Sequence, residues 1–275
     1  MMKIFNQKGK LYEGPIWAYN SLYFVDIPKG ELHTLKDDGS HRVVKFPTYV
    51  SSLQPNGRGG IIVTAGKGFY LVQDKDQISL LYEVKDWDSR NRFNDGKCDQ
   101  MGRYWIGTMN LEEKYPTGGL FVLDFNMKFR RVLTDVTISN GLAWSLDNRY
   151  LYYIDSPTRK IFRFKFDLEK GEISQREVLI DLREYEGVPD GMTIDSEGNL
   201  WVALYGGGAV LRVDTEKRKV IQQLKLPAPR VTSVTFGGNN LKTLFITTAN
   251  DHPDGGFVYS EEVDVRGVET YYCGF

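Results

Sequence analysis

Cysteine is scarce in this chain of 275 residues: there are two, Cys98 and Cys273, far apart in sequence. So sparse a supply excludes a disulfide framework, a cysteine-built zinc site and a redox pair, and both are expected to be plain packing residues. Histidine is nearly as rare, with His33, His41 and His252 in unrelated surroundings. An excess of either charge is also missing, since 35 basic side chains face 36 acidic ones for a net charge of −1. The short basic runs, 217–219 and 128–131, read as solvated strand edges or turns, and no nucleic-acid partner is expected. No stretch approaches the roughly 18 apolar residues of a membrane span. The opening MMKIFNQKGK has no apolar run of signal-peptide length. The expectation is a soluble cytoplasmic protein with no membrane partner. The sequence sets no oligomeric state. There is no G-x-S-x-G elbow and no G-x-x-x-x-G-K-[ST] or G-x-G-x-x-G run. The Gly206–Gly208 triplet reads as a tight turn, not a phosphate cradle.

What is present is aromatic and periodic. Sixteen Tyr, 15 Phe and 5 Trp in a chain that is 41% hydrophobic supply a sizeable core of strand-favouring residues. VPDGMTIDSEGNLWVALY from Val188 has relatives in RFNDGKCDQMGRYWIGTM from Arg92, ISNGLAWSLDNRYLYYID from Ile138 and YEGPIWAYNSLYFVD from Tyr12. Weaker copies start at Val50 and Val231. In this alignment Glu13, Ser51, Asp95, Asn140, Asp190 and Thr232 fall together. Their spacing of roughly 38 to 50 residues belongs to propellers and solenoids. Each unit reads as about four short alternating strands punctuated by Gly, Asn, Asp and Pro, which matches a propeller blade. The expected fold is all-β: one domain over residues 1–275, a six-bladed β-propeller of four-stranded antiparallel blades. Ring closure is expected from Lys3–Asn6 pairing with the last blade, with 268–273 competing for that outer place.

The innermost strand of each blade lines the central channel, so a residue just ahead of it points to the axis at one mouth. Glu13, Asp95, Asn140 and Asp190 hold that place in four units. Like charges gathered there repel unless something positive sits among them. A divalent cation answers this, and oxygen donors suit calcium, magnesium or manganese better than zinc. The competing reading is an ordinary Asx-Gly turn, in which the side chain bonds nearby backbone and Gly accepts positive φ.

EGPIW at Glu13, NRFNDGKCDQMGRYWIGTM at Asn91, ISNGLAWSLDNRYLYYIDS at Ile138, PDGMTIDSEGNLWVALYGG at Pro189 and FGGNNLKTLFITTA at Phe236 resemble the regucalcin (senescence marker protein) and gluconolactonase family. The likeness covers nearly the whole chain in order. It implies a six-bladed propeller acting as a metal-dependent sugar lactonase. By the same resemblance Glu13, Asn140 and Asp190 bind one divalent cation (calcium, manganese, magnesium or zinc), and Asp190 also acts as the base. Arg92 and Asn94 line the sugar pocket, and Glu112 stands where the family has a substrate-contacting Glu, with Glu113 an equally placed occupant. Asp95 is no ligand in the family and is expected to be structural.

The implied reaction is hydrolysis of an aldonolactone, of gluconolactone or pentonolactone type, to the aldonic acid. Two rivals are another propeller hydrolase, an arylesterase or phosphotriesterase, and a non-catalytic calcium-binding regulatory protein. A carboxylate-lined channel with Arg92 beside it favours an enzyme.

Overall fold

An aspartate organises the hairpin that opens a repeat. In D-Q-M-G-R-Y-W, Asp99 Oδ1 accepts the backbone N–H groups of Met101 and Arg103, both at 3.0 Å. Its Oδ2 accepts the Trp105 indole N–H at 2.9 Å and the Arg103 guanidinium at 2.8 Å. Asp195 repeats the device, accepting from Glu197, Asn199, Trp201 and Arg212. Each carboxylate is fully buried yet fully bonded, so the turn is fixed without an unpaired charge.

The computed structural model describes residues 1–73 and 77–275. Its strands form six four-stranded antiparallel sheets around a channel, a six-bladed β-propeller. After the N-terminal strand β1 (Met2–Phe5), blade one is β2–β5 (Tyr12–Ala18, Ser21–Asp26, Glu31–Lys36, His41–Lys45). Blade two is β6–β9 (Val50–Pro55, Ile61–Ala65, Gly68–Val72, Ile78–Glu83) and blade three β10–β13 (Asn91–Cys98, Tyr104–Asn110, Gly118–Leu123, Phe129–Val136). Blade four is β14–β17 (Ser139–Trp144, Tyr150–Asp155, Lys160–Asp167, Glu172–Asp181) and blade five β18–β21 (Val188–Ile194, Leu200–Tyr205, Ala209–Asp214, Lys219–Lys225). Blade six holds β22–β24 (Val231–Gly237, Thr243–Thr248, Val258–Glu262), and β1 completes it as the outer strand against β24. The ring therefore closes through the N-terminus, as the spacing of the units implies. Aromatic contacts seal the blade faces: Trp17 stacks on Phe245 across the closure, and Trp105 meets Trp144 and Trp201 meets Phe236 edge-on. Among the described residues no helix is long and apolar enough to cross a membrane.

Two sequence expectations fail at the C-terminus. Residues 268–273 form no strand. From Val265 onward the tail runs as a strap over the channel mouth at which the innermost strands end. It bonds blade five through Ser196 N–H to Arg266 O (2.8 Å) and contacts blade four through Asn148 and Tyr271. It then meets blade three at Gly102, blade two at Pro55 and Gly57, and blade one where Tyr272 packs on Tyr19. Cys98 and Cys273 are not free packing residues but a disulfide between the end of β10 and this strap, with Cα atoms 5.6 Å apart at a sequence separation of 175. Counting cysteines by local spacing misses a pair brought together only by ring closure and the tail's path across the mouth.

Candidate active site

At the opposite mouth, every innermost strand breaks register with its neighbour. The pairings slip between Glu13 and Ile16, Val50 and Ser52, Phe93 and Gly96, Ser139 and Leu142, Pro189 and Met192, and Val231 and Ser233. A bulge bends a strand and re-aims a side chain. Of the six bulged strands, four place a side chain in one cavity at this end of the channel: Glu13, Asn94, Asn140 and Asp190. The Asx-Gly pairs are thus inside strands, not in turns. Their glycines serve close packing: a Cβ on Gly141 would lie 2.7 Å from the Asp190 carbonyl oxygen, and one on Gly191 would lie 2.1 Å from the Ser233 hydroxyl.

The register also corrects the alignment of repeats. Phe93 faces Thr108, Ser139 faces Asp155 and Pro189 faces Leu204, which are equivalent places on the second strands. The next residues are Asn94, Asn140 and Asp190. Asn94, not Asp95, is therefore the blade-three counterpart of Asp190, and Asp95 takes the place held elsewhere by Gly141 and Gly191.

A cavity of about 250 Å³ opens here, lined by Glu13, Arg92, Asn94, Asn140 and Asp190, with Glu113 and Ser156 among the other polar groups. Its walls are Leu11, Met109, Ile138, Val188 and Tyr205. Glu13, Asn94, Asn140 and Asp190 are all buried, and Arg92 is part-buried. Glu112 is exposed in the loop after β11 and is not part of the lining, whereas Glu113, at φ 60°, reaches it. The apolar wall, Ser156 and Tyr205 went unread in the sequence. A signal existed: Met109, Ser156 and Tyr205 stand at equivalent places at the ends of their blades' second strands.

The cavity is electrostatically strained. Burial, then repulsion from Asp95, pushes the Glu13 carboxyl up to about 8, against the Gly14 N–H and the Arg92 charge. Burial, then Glu13 and Asp95, raises Asp190 well above the usual carboxylate range, opposed by Arg92 and the Gly191 N–H. Asp95 is raised by burial with Lys97 opposing, and Lys97 is lowered by burial with Asp95 opposing. Arg92 Nη1 donates to Asn94 Oδ1 at 2.6 Å and to the Phe93 carbonyl at 2.9 Å. Asp190 Oδ1 is buried with no hydrogen-bond partner.

An orphaned carboxylate oxygen beside a second buried carboxylate and two amides fits a hard divalent cation. Among the described residues no group of three or more His, Cys, Asp or Glu side chains is placed to hold a metal. A cation here would rest on Glu13, Asp190 and the amide oxygen of Asn140, a partial shell that leaves positions for water or substrate.

The chain matches the model of the SMP-30/Gluconolactonase/LRE-like region over residues 11–250. It is 90% identical over the full length of both chains to a Sulfolobus acidocaldarius protein of undescribed function. A Bacillus subtilis (strain 168) protein named as a sugar lactone lactonase, YvrE, is 36% identical over 94% of this chain and 92% of its own. The solved structure of regucalcin from Agrobacterium tumefaciens, described as a calcium-binding protein, superposes with a TM-score of 0.93 at 26% identity, covering 98% of this chain and 96% of that one.

Proposed function

The chain belongs to the SMP-30/gluconolactonase/LRE-like family, and on that premise we propose that it hydrolyses a sugar lactone to the open-chain acid with the help of one divalent cation. The observation that carries this reading is the pair of buried carboxylates, Glu13 and Asp190, facing Arg92 in one cavity, with an Asp190 oxygen unpartnered. A cation held by Glu13, Asn140 and Asp190 would supply Lewis-acid polarisation of the lactone carbonyl and stabilise the negative charge that develops on its oxygen. Calcium, manganese, magnesium and zinc are all candidates for an oxygen site with open positions.

The protein's own groups do the rest. Asp190 accepts a proton from the attacking water as its oxygen bonds to the carbonyl carbon. The ring C–O bond then breaks, and the departing alkoxide takes that proton back, so no net proton is left on the carboxylate. Arg92 has donors beyond the Nη1 used by Asn94, and with Asn94 and Glu113 it binds the sugar hydroxyls at the rim. The walls from Leu11, Ile138 and Val188 are apolar and give water no hydrogen-bond partner there.

The test is a substrate panel of gluconolactone, pentonolactones, an aryl ester and a phosphotriester, run on chelated protein and after each cation is added back. Lactone turnover that disappears on chelation and returns with the cation is the expected result. Full lactone turnover after exhaustive chelation sinks the metal-assisted step, and preference for the phosphotriester sinks the substrate class. Tight calcium binding with no turnover of any substrate leaves the regulatory reading, which the calcium-binding description of the A. tumefaciens relative supports.

A further inference from the structure

A chain of hydrogen bonds crosses the cavity wall with fixed polarity at both ends. At one end is the Arg92 guanidinium, which can only donate. It donates to Asn94 Oδ1 at 2.6 Å. That leaves the Asn94 amino group to donate, and it does so to Asn140 Oδ1 and to the Ser139 carbonyl, both at 2.8 Å. The Asn140 amino group donates in turn to Ser156 Oγ at 2.8 Å. Ser156 O–H donates to the Pro189 carbonyl at 2.7 Å, and a carbonyl can only accept. Reversing the Asn140 amide would set its amino group against that of Asn94. It would also leave the Ser156 hydroxyl with two acceptors and one proton. The order of donors and acceptors is therefore determined from both ends, and Ser156 closes it.

We propose that Ser156, just past the end of β15, is the positioning residue that presents the Asn140 carbonyl oxygen, and not its amino group, as a cation donor. The inference rests on the metal reading of the site. Ser156 is buried, touches no reacting atom and acts through two neighbours. It holds the Asn140 amino group away from the cation, leaving Oδ1 with a lone pair beyond the one Asn94 occupies. It also ties the blade-four donor to the backbone immediately before Asp190. Outer partners that orient a ligand in this way carry about 10-fold to 100-fold in metal affinity.

The test is calcium and manganese affinity by titration calorimetry, paired with nuclear magnetic resonance of the Asn140 side-chain amide in the metal-free protein. Ser156→Ala is expected to weaken cation binding by about 10-fold to 100-fold and to speed solvent exchange of the Asn140 amide protons, while Ser156→Thr restores both. In an Asn140→Ala background, Ser156→Ala should cost nothing further, because its effect passes through Asn140. Should Ser156→Ala fail to fold, Ser156→Cys keeps the side-chain volume with only a weak hydrogen-bonding group and should show the same loss. Wild-type affinity in the folded variant, or an undiminished loss in the Asn140→Ala background, overturns the proposal. A wild-type protein that binds no divalent cation instead overturns the metal reading, and Asn140 amide exchange unchanged by Ser156→Ala would then overturn the positioning role on its own.

Discussion

The two mouths of the channel are made by opposite ends of the same six strands, and they treat buried charge in opposite ways. At the strap mouth, Asp99 and Asp195 are fully buried, and each is answered by backbone N–H groups, an indole and an arginine. At the bulged mouth, Asp190 has an oxygen with no partner, and Glu13 and Asp95 add repulsion. The strap mouth is further covered by the tail and fastened by Cys98–Cys273. A buried carboxylate with every oxygen bonded holds a structure together, whereas one with an unpartnered oxygen is costly to keep charged unless a further group answers it. One aspartate type is thus fully bonded at one end and left with an unpartnered oxygen at the other.

The largest expected effect opposes an aspartate from each mouth. Asp190→Asn keeps the volume but removes the charge, so kcat for lactone hydrolysis should fall by about 10²-fold to 10⁴-fold, as for loss of a general base. The same change should raise the melting temperature of the metal-free protein in mildly alkaline buffer, because a buried, repelled charge is gone. Asp195→Asn leaves Arg212 half-answered in the interior. Breaking a buried pair in this way costs about 3 to 5 kcal/mol, so that variant should melt earlier. Kinetics and thermal melts of both proteins are the check. Stability changes of the same sign would erase the distinction between the mouths.

The strap itself comes next. Removing a crosslink that closes a loop of 175 residues costs about 5 kcal/mol in the chain-entropy limit, and about 2 to 5 kcal/mol is usual for a native disulfide. Cys273→Ser, or mild reduction of the wild type, should therefore lower the denaturant midpoint strongly while leaving cation affinity at the far mouth within about twofold. A large loss of cation affinity alongside the loss of stability would mean that the mouths are coupled through the strands they share.

The bulged mouth was more legible in the sequence than the strap mouth, for a physical reason. Repetition announces blades, and in three of the six inner strands an Asp-Gly or Asn-Gly pair marks the cavity because its glycine is forced by close packing against a neighbouring strand. The error within the ring, Asp95 read for Asn94, arose because N-D-G offers two acidic or amide residues where one fits, and the pairing register assigns the place to Asn94. Glu113 in place of Glu112 at the lining is likewise a matter of one loop residue at positive φ. The strap has no counterpart in the repeat, so periodicity says nothing about it. Cys98 and Cys273 meet only because the tail crosses the mouth, and their sequence separation hides it. Ser156 and Tyr205 were visible as the ends of repeated second strands, but nothing in their residue types marks them without the cavity.

The smallest expected effect sharpens the electrostatic half of the comparison, and its sign can be worked out. In the metal-free protein Glu13 is raised from 4.5 to about 8, so between those values the folded state holds a proton that the unfolded chain has released. Stability must then fall as pH rises through that window. His33, lowered from 6.5 to about 4 by burial and then by His41, works the other way between those two values, since there the unfolded chain binds the extra proton. Above about 6.5 the opposing His33 effect is spent, and from there up to about 8 Glu13 works in the same direction as the raised Asp190. Melting temperature measured across this interval should drop in the metal-free wild type and drop less steeply in Glu13→Gln, where burial still holds the Asp190 carboxyl up. Asp95→Asn should fall between the two, because it removes the repulsion second only to burial in raising Glu13 and so draws the upper end of the window downward. Saturating cation should flatten the wild-type curve by favouring the charged carboxylates. A metal-free wild type whose stability rises with pH across the interval, or an Asp95→Asn curve steeper than wild type, would show that Asp95 does not load the site mouth with charge.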